Sequence, residues 1–113
     1  MTKPETAATG HRAPADCRDL TEVRAEIDRI DRAMVSCIAE RLGYVERVWQ
    51  LKLNEKMEAH VPWRAQQVID KVRASAIEKG VPPDLCEALW RQLMGWVVQY
   101  EEEKLRQKIE GEA

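Results

Sequence analysis

Three cations stand where a helical stripe would carry them: Arg24, Arg41 and Lys52. A guanidinium group clamps a carboxylate or phosphate bidentately, and a lysine ammonium is a compact point charge. At 100° per residue, Arg41 and Lys52 come about 20° apart around a helix axis and about 16 Å apart along it. An anion reached from both sides would fit between them. Arg24 lies about 26 Å from Arg41 along the same axis, too far to share that site within one chain. An antiparallel second copy of the helix would bring its own Arg24 there. The alternative is a solvated surface, with Arg24 paired to Asp28 four residues on. The same segment carries Glu26, Arg29, Asp31, Arg32, Glu40, Glu46 and Arg47, and periodicity alone leaves both readings open.

These cations need a long helix, and the sequence supplies one. Asp19 followed by Glu22 has the spacing of a capping box, with Asp in place of the usual Ser or Thr. Apolar residues then recur at Leu20, Val23, Ile27, Ile30, Met34, Cys37 or Ile38, Leu42, Val45, Val48 and Trp49, in steps of three and four. The pattern predicts a helix from about 19 to 53, roughly 50 Å long. A compact domain of this size has a radius of gyration of only about 13 Å. Such a helix needs a partner for its stripe, most simply a second copy of the chain.

Residues 54–61 read as a polar connector. Pro62 suits the first turn of a second helix, which has an apolar side of Val68, Val72, Ala76 and Ile77 and a stop at Gly80. Pro82, Pro83 and Asp84 open a third helix, with a stripe of Leu85, Leu89, Leu93, Trp96, Val97 and Tyr100. The expected fold class is all-α, a three-helix chain (long, short, medium) that pairs with a second copy. Residues 1–16, small, polar and Pro-containing, read as a disordered N-terminal tail before a helical domain at 17–110.

Composition narrows the function classes. The 113 residues include no Phe and only five Gly and five Pro, which is too few turn and aromatic residues for a β-sandwich or barrel. A net charge of −2 argues against a dedicated nucleic-acid binder. Cys17, Cys37 and Cys86 form no CxxC pair, and His11 and His60 lack a ligand pattern, so no disulfide framework or metal site is suggested. No apolar run approaches the roughly 20 residues of a membrane span. No signal-peptide or nucleotide motif is visible. The expectation is a cytoplasmic protein without a metal or other cofactor, engaging neither nucleic acid nor membrane.

The run VRAEIDRIDRAMVSCIAERLGYVERVWQLK at 23–52 resembles the first helix of the all-helical chorismate mutase family. That family carries Arg, then Ile three, Asp seven, Arg seventeen and Lys twenty-eight residues on, matched by Arg24, Ile27, Asp31, Arg41 and Lys52 without a gap. The resemblance continues through Arg64 and LWRQLMGW at 89–96. It covers about residues 17–105. Cys17 with Leu20, the IDRID run at 27–31 and Trp96 make it similar to the isochorismate pyruvate lyase branch. The resemblance implies an all-α, intertwined helical homodimer with two sites, each combining Arg41, Lys52 and the third helix of one chain with Arg24 of the other. The substrate would be a small dicarboxylate, chorismate or isochorismate, rearranged to prephenate or split into salicylate and pyruvate. Arg24 and Arg41 would clamp the carboxylates and hold the enolpyruvyl chain over the ring. Lys52 would face the ether oxygen, which gains negative charge as its C–O bond breaks.

Several positions depart from the family pattern. The Gln that usually donates to the ether oxygen is Glu101 here, as in some family members. Ionised, it would repel the developing charge; protonated, it could donate. Arg64 matches a family Arg of the second helix, but the following Glu is Ala65, the connector Asp falls at Val61, and Val97 replaces Ser or Thr. These changes remove polar contacts to the ring hydroxyl and move weight toward isochorismate, or toward a substrate-permissive site. They also motivate a third reading, a catalytically silent helical dimer that binds a protein partner. The four Trp and the Met residues read as packing residues, and His60 as a residue close to the site mouth.

Overall fold

The computed structural model describes residues 11–112; residues 1–10 of the expected tail lie outside them. Among the described residues there are three α-helices and no strand: α1 (Leu20–Glu55), α2 (Pro62–Glu78) and α3 (Pro83–Glu112). A short 3₁₀ turn at Pro14–Asp16 precedes α1, closed by the Asp16 N–H donating to the Ala13 carbonyl at 2.9 Å. Ordered backbone thus begins inside the stretch read as tail, because Pro14 pre-sets the turn's first dihedral. The chain divides into two compact units, residues 1–42 and 43–113.

The first unit is the N-terminal part of α1. Its start forms one half of the expected capping box: the Asp19 carboxylate accepts the Glu22 N–H at 2.9 Å, whereas the reciprocal bond goes to another residue. Glu22 reaches back to the N–H of Arg18, one residue before the cap, at 2.8 Å. The hydrogen bond from the Arg18 N–H, reinforced by its guanidinium, holds the Glu22 carboxyl below its ordinary range. No residue of α1 before Val45 is buried. Ile27, Ile30, Met34, Val35 and Ile38 all present their side chains to solvent. A stripe of that length left uncovered is what the helical period predicted for a helix without an intrachain partner.

The second unit holds the core. Val45 and Trp49 are the buried residues of α1, and Trp49 forms one cluster with Ala59 of the connector and Leu105 of α3, flanked by Leu53, Val98 and Tyr100. Helix α2 packs along α3, with Ile69 its deepest residue at 2% exposed. Truncating a core side chain such as Trp49 to Ala typically costs about 3–5 kcal/mol. Arg73 of α2 bonds Asp84 and Glu87 of α3, each at 2.8 Å, and Arg91 bonds Glu87 at 2.7 Å.

Two seams differ from the periodic reading. Helix α2 buries Ile69 and Ala76, whereas Ile77 is exposed. Helix α3 buries Val97, Glu101 and Leu105, four residues apart, and leaves Leu85, Leu89 and Trp96 outside. The inward face of α3 is therefore rotated from the apolar stripe, because a charged residue occupies its central position. Trp63 and Trp96 are also exposed; Trp96 stacks on Tyr100 with ring centroids 5.3 Å apart, whereas burial of a Trp within the chain is confined to Trp49.

Helices α1 and α2 end in the same way. After α1 the Met57 N–H donates to the Lys52 carbonyl at 2.8 Å and the Lys56 N–H to the Leu53 carbonyl at 3.2 Å. After α2 the Val81 N–H donates to Ala76 and the Gly80 N–H to Ile77, at 2.9 and 3.2 Å. Both are Schellman caps, which need a left-handed residue. Gly80 supplies it with φ 74°, and Lys56 does so with φ 56°, the one non-glycine with positive φ among the described residues.

Candidate active site

Lys52 lies in the last turn of α1, where free carbonyl groups favour a cation. Its Nζ donates to Glu101 Oε1 at 2.8 Å and to the carbonyl oxygen of Ala59 at 2.6 Å. Glu101 is 4% exposed. A carboxylate that deep is costly unless paired, and Lys52 pairs it. Glu102 and Glu103, next along the chain, are exposed. Glu101 is therefore the inward member of the three consecutive acids.

Beside Lys52 a cleft of about 750 Å³ opens between the connector and the C-terminal turns of α3. Met57, Leu105 and Ile109 give it an apolar surface; His60 and Arg106 are among its polar lining. Lys52 is on its wall, whereas Glu101 is not among the lining residues and stands behind the ammonium. His60 of the connector, not among the site residues expected from sequence, is on this wall.

The remaining candidates sit as follows. Arg24 is exposed and Arg41 half-buried, both in the first unit. Neither enters an ion pair with a described residue, Asp28 included; the pairs that form nearby are Arg18–Glu22 and Arg29–Glu26. Arg64, in the first turn of α2, is exposed and donates to Gln67 at 2.6 Å. Val61 is the N-cap residue of α2 and makes no side-chain cap bond. Its carbonyl accepts the N–H groups of Arg64 and Ala65, both at 3.0 Å. Val97 is buried one turn before Glu101 on the same face of α3. Among the described residues no cluster of His, Cys, Asp or Glu is arranged to hold a metal ion, and no helix is long and apolar enough to cross a membrane.

The sequence reading brought Lys52 and Glu101 together. It missed the Ala59 carbonyl, a backbone acceptor that no residue-type pattern can reveal.

The chain is 36% identical to a T-protein of Enterobacter agglomerans over 67% of its length, which spans 20% of that protein. It is 31% identical to a T-protein of Haemophilus influenzae over 66% of its length, again 20% of the relative. It is 29% identical to an isochorismate pyruvate lyase of Pseudomonas aeruginosa over 77% of its length, covering 85% of that enzyme. The chain thus corresponds to about a fifth of either T-protein and to most of the lyase. The family model for chorismate mutase type II matches residues 23–102, from the first turn of α1 to the residue after Glu101, and the chain belongs to that family.

Proposed function

We propose that this chain is a chorismate mutase-type enzyme acting as a homodimer, with Arg24 of one copy completing the site of the other. The observation that carries the reading is the buried Lys52–Glu101 pair beside an open cleft. A helix scaffold has no structural need for a charge pair at a core position of α3, since an apolar pair of similar volume is often as stable. The uncovered stripe of α1 supports the dimer, and Arg24 and Arg41, which form no ion pair among the described residues, support a ligand that brings its own negative charge.

The chemistry follows from the residues. Arg24 and Arg41 each clamp one carboxylate, with Arg64 nearby along the chain as a further cation. An ammonium has three N–H groups. Ala59 and Glu101 take two from Lys52, which leaves one for the ether oxygen of the substrate. In the mutase reaction that C–O bond breaks while a C–C bond forms from the enolpyruvyl methylene to the ring, so all atoms stay in prephenate. The negative charge gathering on the oxygen meets a fixed donor, which stabilises the transition state more than the bound substrate.

The second reading is isochorismate pyruvate lyase. It is favoured by the extent of the match to the Pseudomonas enzyme and by Val61 and Ala65, which give a ring hydroxyl no side-chain partner. The test is to incubate purified protein separately with chorismate and isochorismate and to measure prephenate, salicylate and pyruvate. Prephenate alone supports the mutase, and salicylate with equimolar pyruvate supports the lyase. No turnover of either would overturn both and favour a silent binding module.

A further inference from the structure

We propose that the connector residues 56–59 are a positioning device for Lys52, which sets the direction of its one free N–H through the left-handed turn at Lys56 and the carbonyl of Ala59. The inference rests on the catalytic role proposed for Lys52 and deepens it. Lys52 is held at both ends by the same short segment. Its backbone carbonyl accepts the Met57 N–H at 2.8 Å, and its Nζ donates to the Ala59 carbonyl at 2.6 Å. Between these anchors the chain reverses at Lys56, φ 56°. Ala59 is itself fixed, 6% exposed against Trp49 and Leu105.

A lysine side chain has four rotatable bonds, and one acceptor fixes only one direction in space. Two acceptors on different elements, the connector and α3, leave the third N–H a single direction. The turn at 56 therefore acts on the reacting atoms through Lys52; the Lys56 side chain itself lines the cleft, and all three substitutions below remove it alike, so that only the backbone preference differs among them. Positive φ is easy for Gly, tolerable for Asn and strongly disfavoured for a β-branched residue.

The experiment is a series at one position: Lys56→Gly, Lys56→Asn and Lys56→Val. Two readouts are compared: steady-state kinetics with chorismate and isochorismate, and the rate at which Lys52 is acetylated by a water-soluble ester, followed by mass spectrometry. The expected result is kcat about tenfold lower in Lys56→Val than in Lys56→Gly, with KM within about twofold, since the loss is of transition-state contact. Lys52 should be acetylated several-fold faster in Lys56→Val only, with Lys56→Asn behaving like Lys56→Gly. Equal Lys52 acetylation across the series would overturn the device, as would a drop in kcat common to all three variants. If Lys56→Val does not fold, Lys56→Asn against Ala59→Ser decides. Ser keeps the carbonyl but loosens its buried seat, so it should speed acetylation relative to Lys56→Asn, and equal rates overturn the proposal. A wild type inactive toward both acids would sink the enzymatic reading alone, and the acetylation series would still decide whether the connector holds Lys52.

Discussion

Lys52 and Glu101, on different helices and 49 residues apart in the chain, meet at 2.8 Å with both side chains withdrawn from solvent. Removing one partner leaves the other buried and uncompensated. Lys52→Ala should therefore destabilise the protein by about 3–5 kcal/mol, whereas Lys52→Met combined with Glu101→Leu should recover most of that loss. Urea unfolding at one fixed protein concentration measures both. A double variant no more stable than the single one would show that the pair is not the source.

The same pair shapes the donor set of the site. A carboxylate at 101 holds Lys52 but repels charge gathering on the substrate oxygen, whereas Gln keeps an acceptor and adds a donor. Glu101→Gln should raise kcat/KM by about tenfold, the equivalent of one added hydrogen bond. Steady-state kinetics unchanged by the substitution would remove Glu101 from the site.

Arg24 and Arg41 offer a test of shared sites. Arg24→Ala and Arg41→Ala should each abolish turnover alone. In a mixed dimer one of the two sites keeps both arginines, so random exchange should restore about a quarter of wild-type activity. An inactive mixture, after exchange is shown by native mass spectrometry, would count against a site built from two chains.

The junction of α2 and α3 predicts an acid-sensitive contribution to stability. Hydrogen bonds from Arg91, and then Arg73, hold the Glu87 carboxyl below its ordinary value of 4.5. A carboxyl lowered in the folded state stabilises above its unfolded value and loses that contribution as pH falls through its folded value. Glu87→Gln should therefore be less stable than wild type near pH 6 and approach it near pH 3. Thermal unfolding across that range checks the sign. The group is still reached by solvent, so the effect should be small.

Much of this was legible in the residues. The helical period located α1, and Asp19, Pro62 and Gly80 marked ends that the backbone shows as an Asp N-cap bond, a first-turn proline and a Schellman cap. The spacing from Arg24 to Lys52 pointed to the family, since each step is constrained by chemistry as well as by packing. The inward faces of α2 and α3 were harder to read. Ile69 lies off the Val68–Val72–Ala76 line, and Glu101 is a charge at a core position, where a hydrophobic pattern has nothing to detect. The cap at Lys56 was invisible for a related reason: a lysine carries no turn signal, and only the backbone shows that it does the work of a glycine.

The four tryptophans fall into distinct surroundings: Trp49 is enclosed beside the Lys52 turn, Trp90 is half-covered, and Trp63 and Trp96 face outward. Indole emission shifts to the red with exposure to water. The unmodified protein therefore carries its own optical reporters, a blue component from the interior and a red one from its surface. Single Trp→Phe replacements at 63 or 96 would separate events at that surface from events at the core without any attached dye.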